Sequence, residues 1–289
     1  SPASEREEEP DPEPKQTPPT TIGRYRLVFQ LASGGMATVY LARADGPAGF
    51  EKLVALKRIH PHLAEKRSYI DMFLDEARIA SRITHGNVCT VFDFGEANGE
   101  YFIAMEYLVG EPLSTVLRKL RGDKRHQTDP RYPNFIARVI ADACEGLHAA
   151  HELKDARGEP LHVVHRDVSP QNIFVSYDGV VRVVDFGIAS ARHKLHETAT
   201  GEVKGKFSFM SPEQLLESSK VDRRTDVWAL GVMLHEALTL HRLFKRENQM
   251  KTMYAVAEQK IRPPSSVRGG VPPDLDAIVM RALERNLDA

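Results

Sequence analysis

Cysteine is scarce in this sequence, and its scarcity excludes two classes of protein. Only Cys89 and Cys144 occur among the 289 residues, and they lie far apart along the chain. Two isolated cysteines form neither the disulfide framework of a small secreted domain nor a zinc site. Both lie in apolar sequence contexts, so we expect them to be reduced core residues, as in a protein of the cytoplasm.

Long hydrophobic runs and an excess of charge of one sign are also missing. The longest apolar candidate, residues 227–234, is interrupted by Gly231 and is far shorter than the roughly 20 residues that a membrane span needs. No signal peptide is visible, and the formal net charge is -1. We therefore expect no membrane segment in this chain, which leaves any membrane anchor outside it, and no nucleic acid among its partners.

The first 21 residues differ in composition from the rest of the chain. They are rich in Glu, Asp and Pro and contain no large apolar residue before Ile22. Such a segment cannot bury enough apolar surface to offset the entropy lost on ordering. We predict that residues 1–21 form a disordered acidic tail and that residues 22–289 form the folded domain.

The remaining chain has mainly strand-like patterns before residue 107 and mainly helical patterns after it. Short runs rich in Val, Leu, Ile and Tyr predict strands at residues 25–31, 38–43, 52–59, 88–94 and 101–107, and the pair Asn98-Gly99 predicts the turn that joins the last two. Later short strands are predicted at residues 163–164, 173–176 and 180–184. Helices are predicted at residues 68–83, 113–120, 135–153, 225–239, 249–258 and 274–284. A β-rich first third before a helical remainder indicates an α+β protein of two lobes with a cleft between them.

Two features of the β-rich part are suited to binding phosphate. Residues 32–39 form a loop poor in side chains whose backbone N–H groups can face a nucleotide, although alone it could equally be a hairpin turn. Lys57 projects from an apolar strand, where an ammonium group is unusual unless it meets an anion. Glu76 on the following helix is its natural ionic partner. The alternative is a Lys that extends from a strand edge into solvent.

The second part of the chain contains the residue types that phosphoryl transfer needs. The run His-Arg-Asp-Val-Ser-Pro-Gln-Asn at residues 165–172 provides Asp167, a carboxylate that can orient a hydroxyl and accept its proton. Asn172 ends this run and offers an oxygen ligand for Mg²⁺, and Asp185, in an Asp-Phe-Gly sequence, offers a second, charged one. These motifs, followed by Ser-Pro-Glu at residues 211–213, are more specific in this order than any one of them alone.

Together these motifs resemble the signature of the protein kinase family over essentially residues 22–289. The sequences of the motifs look most like those of the bacterial eukaryotic-like Ser/Thr kinases. The resemblance implies the bilobal kinase fold, with a β-rich N-lobe of five strands and one long helix, a mainly helical C-lobe and ATP in the cleft. It assigns the N-lobe to residues 22–105, the hinge to 106–109 and the C-lobe to 110–289, with the last helix of the fold truncated.

The resemblance also implies a site for ATP and Mg²⁺, with Mn²⁺ as a substitute. The positions expected to contact the nucleotide are Ala32, Gly34, Gly35, Val39, Ala55, Lys57, Glu76, Met105, Glu106, Leu108 and Phe174. Among these, the gatekeeper is Met105, and the backbone at residues 106 and 108 meets adenine. Asn172 and Asp185 are the expected metal ligands. Asp226 is expected to hold the backbone of the His-Arg-Asp motif through a buried hydrogen bond.

The sequence departs from the family pattern in its glycine loop and at two positions that the family fold places beside the catalytic Asp. Ala32 and Ala37 stand where the family has the first and third glycines of its loop, which predicts a stiffer loop. Ser169 stands where the family has a catalytic-loop Lys, and Lys206 stands where it has a hydroxyl. Our hypothesis is that cation and hydroxyl have exchanged places, so that Lys206, with Ser169, serves the transferred phosphate beside Asp167.

These features predict an enzyme, a protein serine/threonine kinase that acts on protein substrates. Residues 207–210, Phe-Ser-Phe-Met, look like the Ser/Thr type rather than the tyrosine type. Thr198 and Thr200 have a spacing that resembles the paired threonines of bacterial kinases, so autophosphorylation in trans is expected there. An ATP-binding pseudokinase scaffold is the alternative function.

Overall fold

An antiparallel sheet forms the first third of the chain, as the strand pattern predicts. The computed structural model describes residues 21–49, 51–123, 125, 128–186, 207–216 and 221–288. Residues 1–20 of the predicted tail lie outside these ranges. The strands of the sheet are β1 Thr21–Ile22, β2 Tyr25–Ser33, β3 Ala37–Asp45, β4 Glu51–Ile59, β5 Val91–Ala97 and β6 Glu100–Glu106.

The sheet has the strand order β1-β2-β3-β4-β6-β5, and every neighbouring pair is antiparallel. We expected five strands. The sixth is the two-residue β1, in which Thr21 pairs with Arg26, and it is too short to leave a periodic pattern. Asn98 and Gly99 join β5 to β6 with φ angles of 56° and 76°, which fit the tight hairpin turn predicted for an Asn-Gly pair.

One long helix packs against this sheet. After the short α1 (Pro61–Ala64), α2 spans Arg67–Ala80, close to the predicted residues 68–83. Its apolar face, which includes Tyr69 and Phe73, is buried with Ile59 of β4 and Ile103 of β6. Burial of this face fixes the position of α2 relative to β4, and both elements carry residues of the candidate site.

Helices dominate the chain after residue 113, as predicted. Those in the described ranges are α3 Leu113–Gly122, α4 Tyr132–His151, α5 Pro212–Leu216, α6 Arg224–Thr239, α7 Gln249–Glu258, α8 Pro264–Val267 and α9 Pro273–Ala282. α6 is buried along nearly its whole length, so the apolar run at residues 227–234 is a core helix. Within the part of the chain that the structure covers, we find no helix of the length and apolarity needed for a membrane span.

A second sheet lies at the start of the helical part. Its strands are β7 Gly110–Pro112, β8 Ile173–Ser176 and β9 Val181–Val183, antiparallel and in that order. The strand predicted at residues 163–164, which are themselves described, does not form, although Val163 and Val164 are buried. Their apolar character reflects burial of the segment that leads to residues 165–172, and β7 has no strand-like pattern that could have indicated it.

The two cysteines differ in their surroundings. Cys89 is buried as predicted, and burial raises its pKa to about 12. Cys144 is exposed, so the prediction that it is a core residue is wrong. In α4 the buried face includes Ala143 and Leu147, and Cys144 is turned about 100° away from Ala143 around the helix axis.

Gly146 of α4 lies against the backbone that leads into β5. A Cβ at this position would come within 2.4 Å of the Asn87 carbonyl oxygen, a distance that real Cβ atoms essentially never show. Gly146→Ala should therefore lower the free energy of unfolding by about 1–3 kcal/mol, even though Ala is the better helix former. Gly122→Ala in α3 is the matched control, because its added Cβ has nothing within 4 Å, and it should keep or raise stability. Urea unfolding measures both, and equal stabilities of the two variants would contradict the prediction.

Candidate active site

Lys57 links the first sheet to the helical part of the chain. Its Nζ lies 2.9 Å from Glu76 Oε1 of α2 and 2.8 Å from Asp185 Oδ1, which follows β9. The side chains of Lys57 and Glu76 are 14% and 15% exposed, whereas that of Asp185 is 41% exposed. The ion pair predicted between Lys57 and Glu76 is present, and it is extended by a second carboxylate that solvent reaches more easily.

The charges of these three side chains depend on one another. Burial by itself lowers the pKa of Lys57, but Asp185 and Glu76 together outweigh it and raise that pKa above its ordinary value. Burial is also the largest influence on Glu76, and with Asp185 it raises the pKa of that carboxyl against the opposing effect of Lys57. Lys57 therefore stays charged at neutral pH, and its charge allows two carboxylates to lie close together.

The loop at residues 165–172 brings Asp167 and Asn172 together. Asn172 Nδ2 donates to the main-chain oxygen of Asp167 at 2.9 Å and to its carboxylate Oδ2 at 3.3 Å. The N–H of Val184 donates to the Asn172 carbonyl oxygen at 2.9 Å. Because Val184 directly precedes Asp185, the loop with the expected base and the segment with the expected metal ligand lie side by side.

His165 makes a second link between these two segments. Its Nε2 donates to the Val184 carbonyl oxygen at 3.1 Å, and its Nδ1 accepts from the N–H of Asp167 at 3.3 Å. These partners fit the neutral imidazole with its hydrogen on Nε2. The ring also packs against Phe186, with 4.8 Å between the ring centroids. One uncharged side chain thus sets the orientation of both motifs.

A buried carboxylate of α6 holds the backbone of the same loop. Asp226 is 1% exposed and accepts from the N–H groups of His165 and Arg166, each at 2.9 Å. His151, the last residue of α4, approaches the same carboxylate through Nε2 at 2.8 Å. The anchoring contact predicted for Asp226 is confirmed. His151 is a partner that the sequence analysis missed, because nothing local connects two residues this far apart.

Two residues of the site have left-handed backbone conformations. Arg166 has a φ of 65° and Asp185 a φ of 53°, values that residues other than glycine adopt rarely. For Arg166 this conformation costs of the order of 1–3 kcal/mol, whereas aspartate tolerates it better. At Arg166 the cost is offset by the hydrogen bond to Asp226 and by Gln214, whose Nε2 donates to the Arg166 carbonyl oxygen at 2.9 Å.

The loop between β2 and β3 accommodates its two alanines without backbone strain. Ala32 lies within β2 and Ala37 begins β3, and neither has a positive φ. The N–H of Gly34 donates to the Ala37 carbonyl oxygen at 2.9 Å and closes the turn, with Gly35 at its tip. Glycine is therefore not required by the backbone at the two positions where the family pattern has it.

The side chains expected around adenine come from both sheets. Val39 of β3 pairs with Lys57 of β4, and Ala55 of β4 pairs with Met105 of β6. Phe174 lies on β8 of the second sheet. A ring enclosed by Val39, Ala55 and Phe174 would therefore be held between two separate sheets, as in a cleft between lobes.

The predicted hinge carries an ion pair that the sequence did not indicate. Glu106, the last residue of β6, lies 3.1 Å through Oε1 from Arg182 Nη2 on β9. The Sγ of Cys89 lies 3.7 Å from the Glu106 carbonyl oxygen, and the N–H of Glu106 donates to the Thr90 carbonyl oxygen at 2.8 Å. Leu108, the other residue expected to meet adenine, is half-buried two positions later.

Some of the predicted site residues lie outside the described ranges. These are Lys206, Thr198 and Thr200. Ser169 is described: it is buried, and its Oγ has no hydrogen-bond partner within the ranges that the structure covers. The partnership of Ser169 with Lys206 therefore stays a prediction.

The chain matches a known family in sequence and in fold. A family profile described as "Protein kinase domain" matches residues 25–284. The chain belongs to the protein kinase family. The kinase domain of PknI from Mycobacterium tuberculosis, a solved structure, superposes with a TM-score of 0.62 at 25% identity, covering 93% of this chain and 91% of that chain. The predicted bilobal kinase fold, with its β-rich N-lobe and helical C-lobe, is thereby confirmed.

Bacterial protein kinases are among the curated relatives of this kinase domain. It is 47% identical over 90% of its length to the tyrosine-protein kinase MasK of Myxococcus xanthus. It is 35% identical over 93% of its length to the serine/threonine-protein kinase PknB of Mycobacterium leprae. The matched regions make up 40% and 41% of those two proteins, so the chain spans about two fifths of the length of these relatives.

The hydrogen bonds of Asp226 give a stability prediction. In Asp226→Asn a single amide oxygen faces two buried backbone donors, and the NH₂ group cannot accept from either. We expect the free energy of unfolding to fall by about 2–4 kcal/mol. Asp222→Asn is the matched control, because the Asp222 side chain is 46% exposed and Asn can accept the same bond from the Arg224 N–H. Urea unfolding of both variants tests this, and a similar loss in both would rule out burial of Asp226 as the cause.

Proposed function

We propose that this kinase domain transfers the γ-phosphate of Mg-ATP to serine and threonine hydroxyls of proteins, a second copy of itself included. The observation that carries the proposal is the position of Lys57, which lies within hydrogen-bond distance of both Glu76 and Asp185. An ammonium group held in this way can bind phosphate oxygens while its carboxylate partners fix its position. We assign the reaction to the cytoplasm, where ATP is available.

Asp167 is the proposed base. Its carboxylate orients the attacking hydroxyl and accepts its proton, the role that phosphoryl transfer asks of a side chain. The hydrogen bond from Asn172 Nδ2 to Asp167 Oδ2 supports this role, because it limits the rotation of the carboxylate before a substrate arrives.

Asn172 and Asp185 are the proposed ligands of the divalent metal that protein kinases use with ATP. Both hydrogen bonds of the Asn172 amide use Nδ2, so Oδ1 is the atom that suits a cation. Oxygen ligands of this kind fit Mg²⁺, with Mn²⁺ as a substitute. Among the described residues no three His, Cys, Asp or Glu side chains cluster in the way that a metal site made of protein ligands alone requires. When bound, the metal neutralises charge on the phosphate oxygens.

The nucleotide is proposed to lie between the N-lobe, residues 22–105, and the C-lobe, residues 110–289. The adenine ring packs between Val39, Ala55 and Phe174, with Met105 behind it, and meets the backbone of the hinge at residues 106 and 108. The phosphates meet the loop at residues 32–37 and Lys57. The two-sheet origin of the ring-enclosing residues supports this arrangement.

A tyrosine kinase is the second candidate function. The observation that favours it is the 47% identity to a protein named as a tyrosine-protein kinase, against 35% to those named as serine/threonine-protein kinases. Residues 207–210, Phe-Ser-Phe-Met, favour serine and threonine. The two functions differ in the acceptor hydroxyl alone and share every site residue proposed above, so the phosphorylated residue type distinguishes them.

Incubation with Mg-ATP followed by mass spectrometry tests the proposed function. Phosphate is expected on Thr198 and Thr200, whose spacing resembles the paired threonines of bacterial kinases. A phosphate there would carry nearly two negative charges and could pair with Arg166. Asp167→Asn should reduce incorporation roughly a hundredfold, because losing the base costs about 3 kcal/mol or more in the barrier. Asp178→Asn is the matched control, an exposed turn residue that accepts from the Val180 N–H, and it should keep full activity.

The outcome of this experiment separates the candidate functions. Phosphate on tyrosine alone would establish the second candidate. No incorporation by the wild-type domain into itself or a general protein substrate would contradict both and leave the pseudokinase scaffold. If Asp167→Asn protein becomes phosphorylated when mixed with wild type, transfer occurs between molecules, and its failure would contradict the expected trans reaction.

Lys206 is proposed to supply the cation that the family carries at the position of Ser169. The transferred phosphate needs positive charge nearby besides the metal, and Ser169 cannot provide it. We expect Lys206→Thr to reduce turnover roughly tenfold or more. The double variant Lys206→Thr, Ser169→Lys should recover much of that loss.

Steady-state kinetics of both variants measure the effect. Lys204→Thr, two residues earlier in the same segment, is the matched control for loss of one positive charge and should turn over at the wild-type rate. Unchanged turnover in Lys206→Thr would end this hypothesis without affecting the assignment of Asp167.

A further inference from the structure

His60 makes two hydrogen bonds to the loop between β2 and β3. It directly follows β4, and its backbone N–H donates to the Met36 carbonyl oxygen at 2.9 Å, which continues the pairing of Ala37 with Ile59 by one step. Its imidazole Nε2 lies 2.7 Å from the Gly34 carbonyl oxygen. The side-chain contact is not part of any strand ladder and depends on a histidine at this position.

The chemistry of this contact fixes its direction. A carbonyl oxygen only accepts, so Nε2 of His60 must carry the hydrogen. The peptide unit between Gly34 and Gly35 is planar and trans, so its N–H points away from its carbonyl oxygen. A bond that holds the Gly34 oxygen on one side therefore holds the Gly35 N–H on the other, and the orientation of the peptide unit is set by His60.

The tip of the loop needs such a contact. Gly34 and Gly35 are adjacent, and glycine has the greatest conformational freedom of any residue. Within the loop, the turn is closed by the bond from the Gly34 N–H to Ala37. Any ligand that requires one orientation of these N–H groups must otherwise order them on binding, at a cost in affinity.

We propose that His60 is a positioning residue that orients the loop at residues 34–37 for nucleotide phosphates. This inference rests on the proposed function for the role of the loop, and it adds a residue that lies outside the motifs of the family resemblance. Lys57 lies within β4, and His60 follows it by three residues, directly after the end of that strand. The two groups proposed to meet the phosphates, the loop and Lys57, are thereby fixed to one another through β4.

Variants of His60 test the proposal through nucleotide affinity. His60→Ala keeps the backbone bond to Met36 and loses the bond to Gly34. We expect it to weaken Mg-ATP binding about fivefold, equivalent to about 1 kcal/mol, with a smaller change in kcat than in KM. His60→Gln should bind nearly as wild type, because its amide nitrogen reaches the place of Nε2. His60→Asn should behave as His60→Ala, because its nitrogen reaches only the place of Nδ1.

A second readout does not depend on nucleotide or catalysis. Amide hydrogen exchange of the nucleotide-free protein should be faster over residues 33–37 in His60→Ala and close to wild type in His60→Gln. His62→Ala is the matched control: the His62 ring stacks on that of His60 with 5.5 Å between centroids, and its removal leaves the Gly34 bond in place. It should leave both readouts unchanged.

The results decide between this proposal and its rivals. Wild-type exchange and affinity in His60→Ala would overturn it, as would equal behaviour of the Gln and Asn variants. An effect of His62→Ala as large as that of His60→Ala would assign the effect to ring stacking and also overturn it. If the wild-type domain transfers no phosphate, the proposed function fails, but the exchange measurements still test whether His60 orders the loop.

Discussion

A single ammonium group between two carboxylates holds the site together. Lys57 comes from β4, Glu76 from α2 and Asp185 from the segment after β9, so three elements that are far apart in the sequence meet at one charge. Removing a buried lysine usually leaves a cavity and unpaired partners. Here it would also leave Glu76 and Asp185 near each other without a cation, which favours the protonated form of the buried Glu76 carboxyl and removes the contacts that join α2 to Asp185. The position of α2 and that of Asp185 are therefore set by the same group.

The backbone around β9 connects this charge cluster to the rest of the site. Arg182 pairs with Glu106 of the predicted hinge, Val183 exchanges main-chain hydrogen bonds with Asn87 and Cys89, and Val184 bonds to Asn172 and His165. Consecutive residues of one short segment thus reach the predicted hinge, the approach to β5 and the loop at residues 165–172 in turn. A shift of β9 cannot be confined to one of these regions, because each is tied to the next residue along the strand.

The sequence allowed the regular elements and the local motifs to be predicted, since both depend on patterns a few residues long. Amphipathic α2 and the largely buried α6 were predicted with small errors at their ends, and the Asn-Gly turn followed from its two residues. The errors arose where a short pattern is ambiguous. Val163 and Val164 are apolar because they are buried, and Cys144 lies one position from the buried face of α4. Pairs such as Glu106 with Arg182, or His60 with Gly34, join residues distant in sequence and leave no periodic signal.

Two requirements limit which residues can occupy positions 166 and 185: the role of the side chain and the left-handed conformation of the backbone. The side chains are those to which the proposed function assigns a role, while the backbone favours glycine, asparagine or aspartate. Asp185 satisfies both demands, whereas Arg166 satisfies the first and relies on Asp226 and Gln214 for the second. At Arg166, stability therefore favours a different residue from the one that the proposed activity favours. Selection for heat resistance alone has a reason to replace Arg166, and selection for phosphotransfer has a reason to keep it.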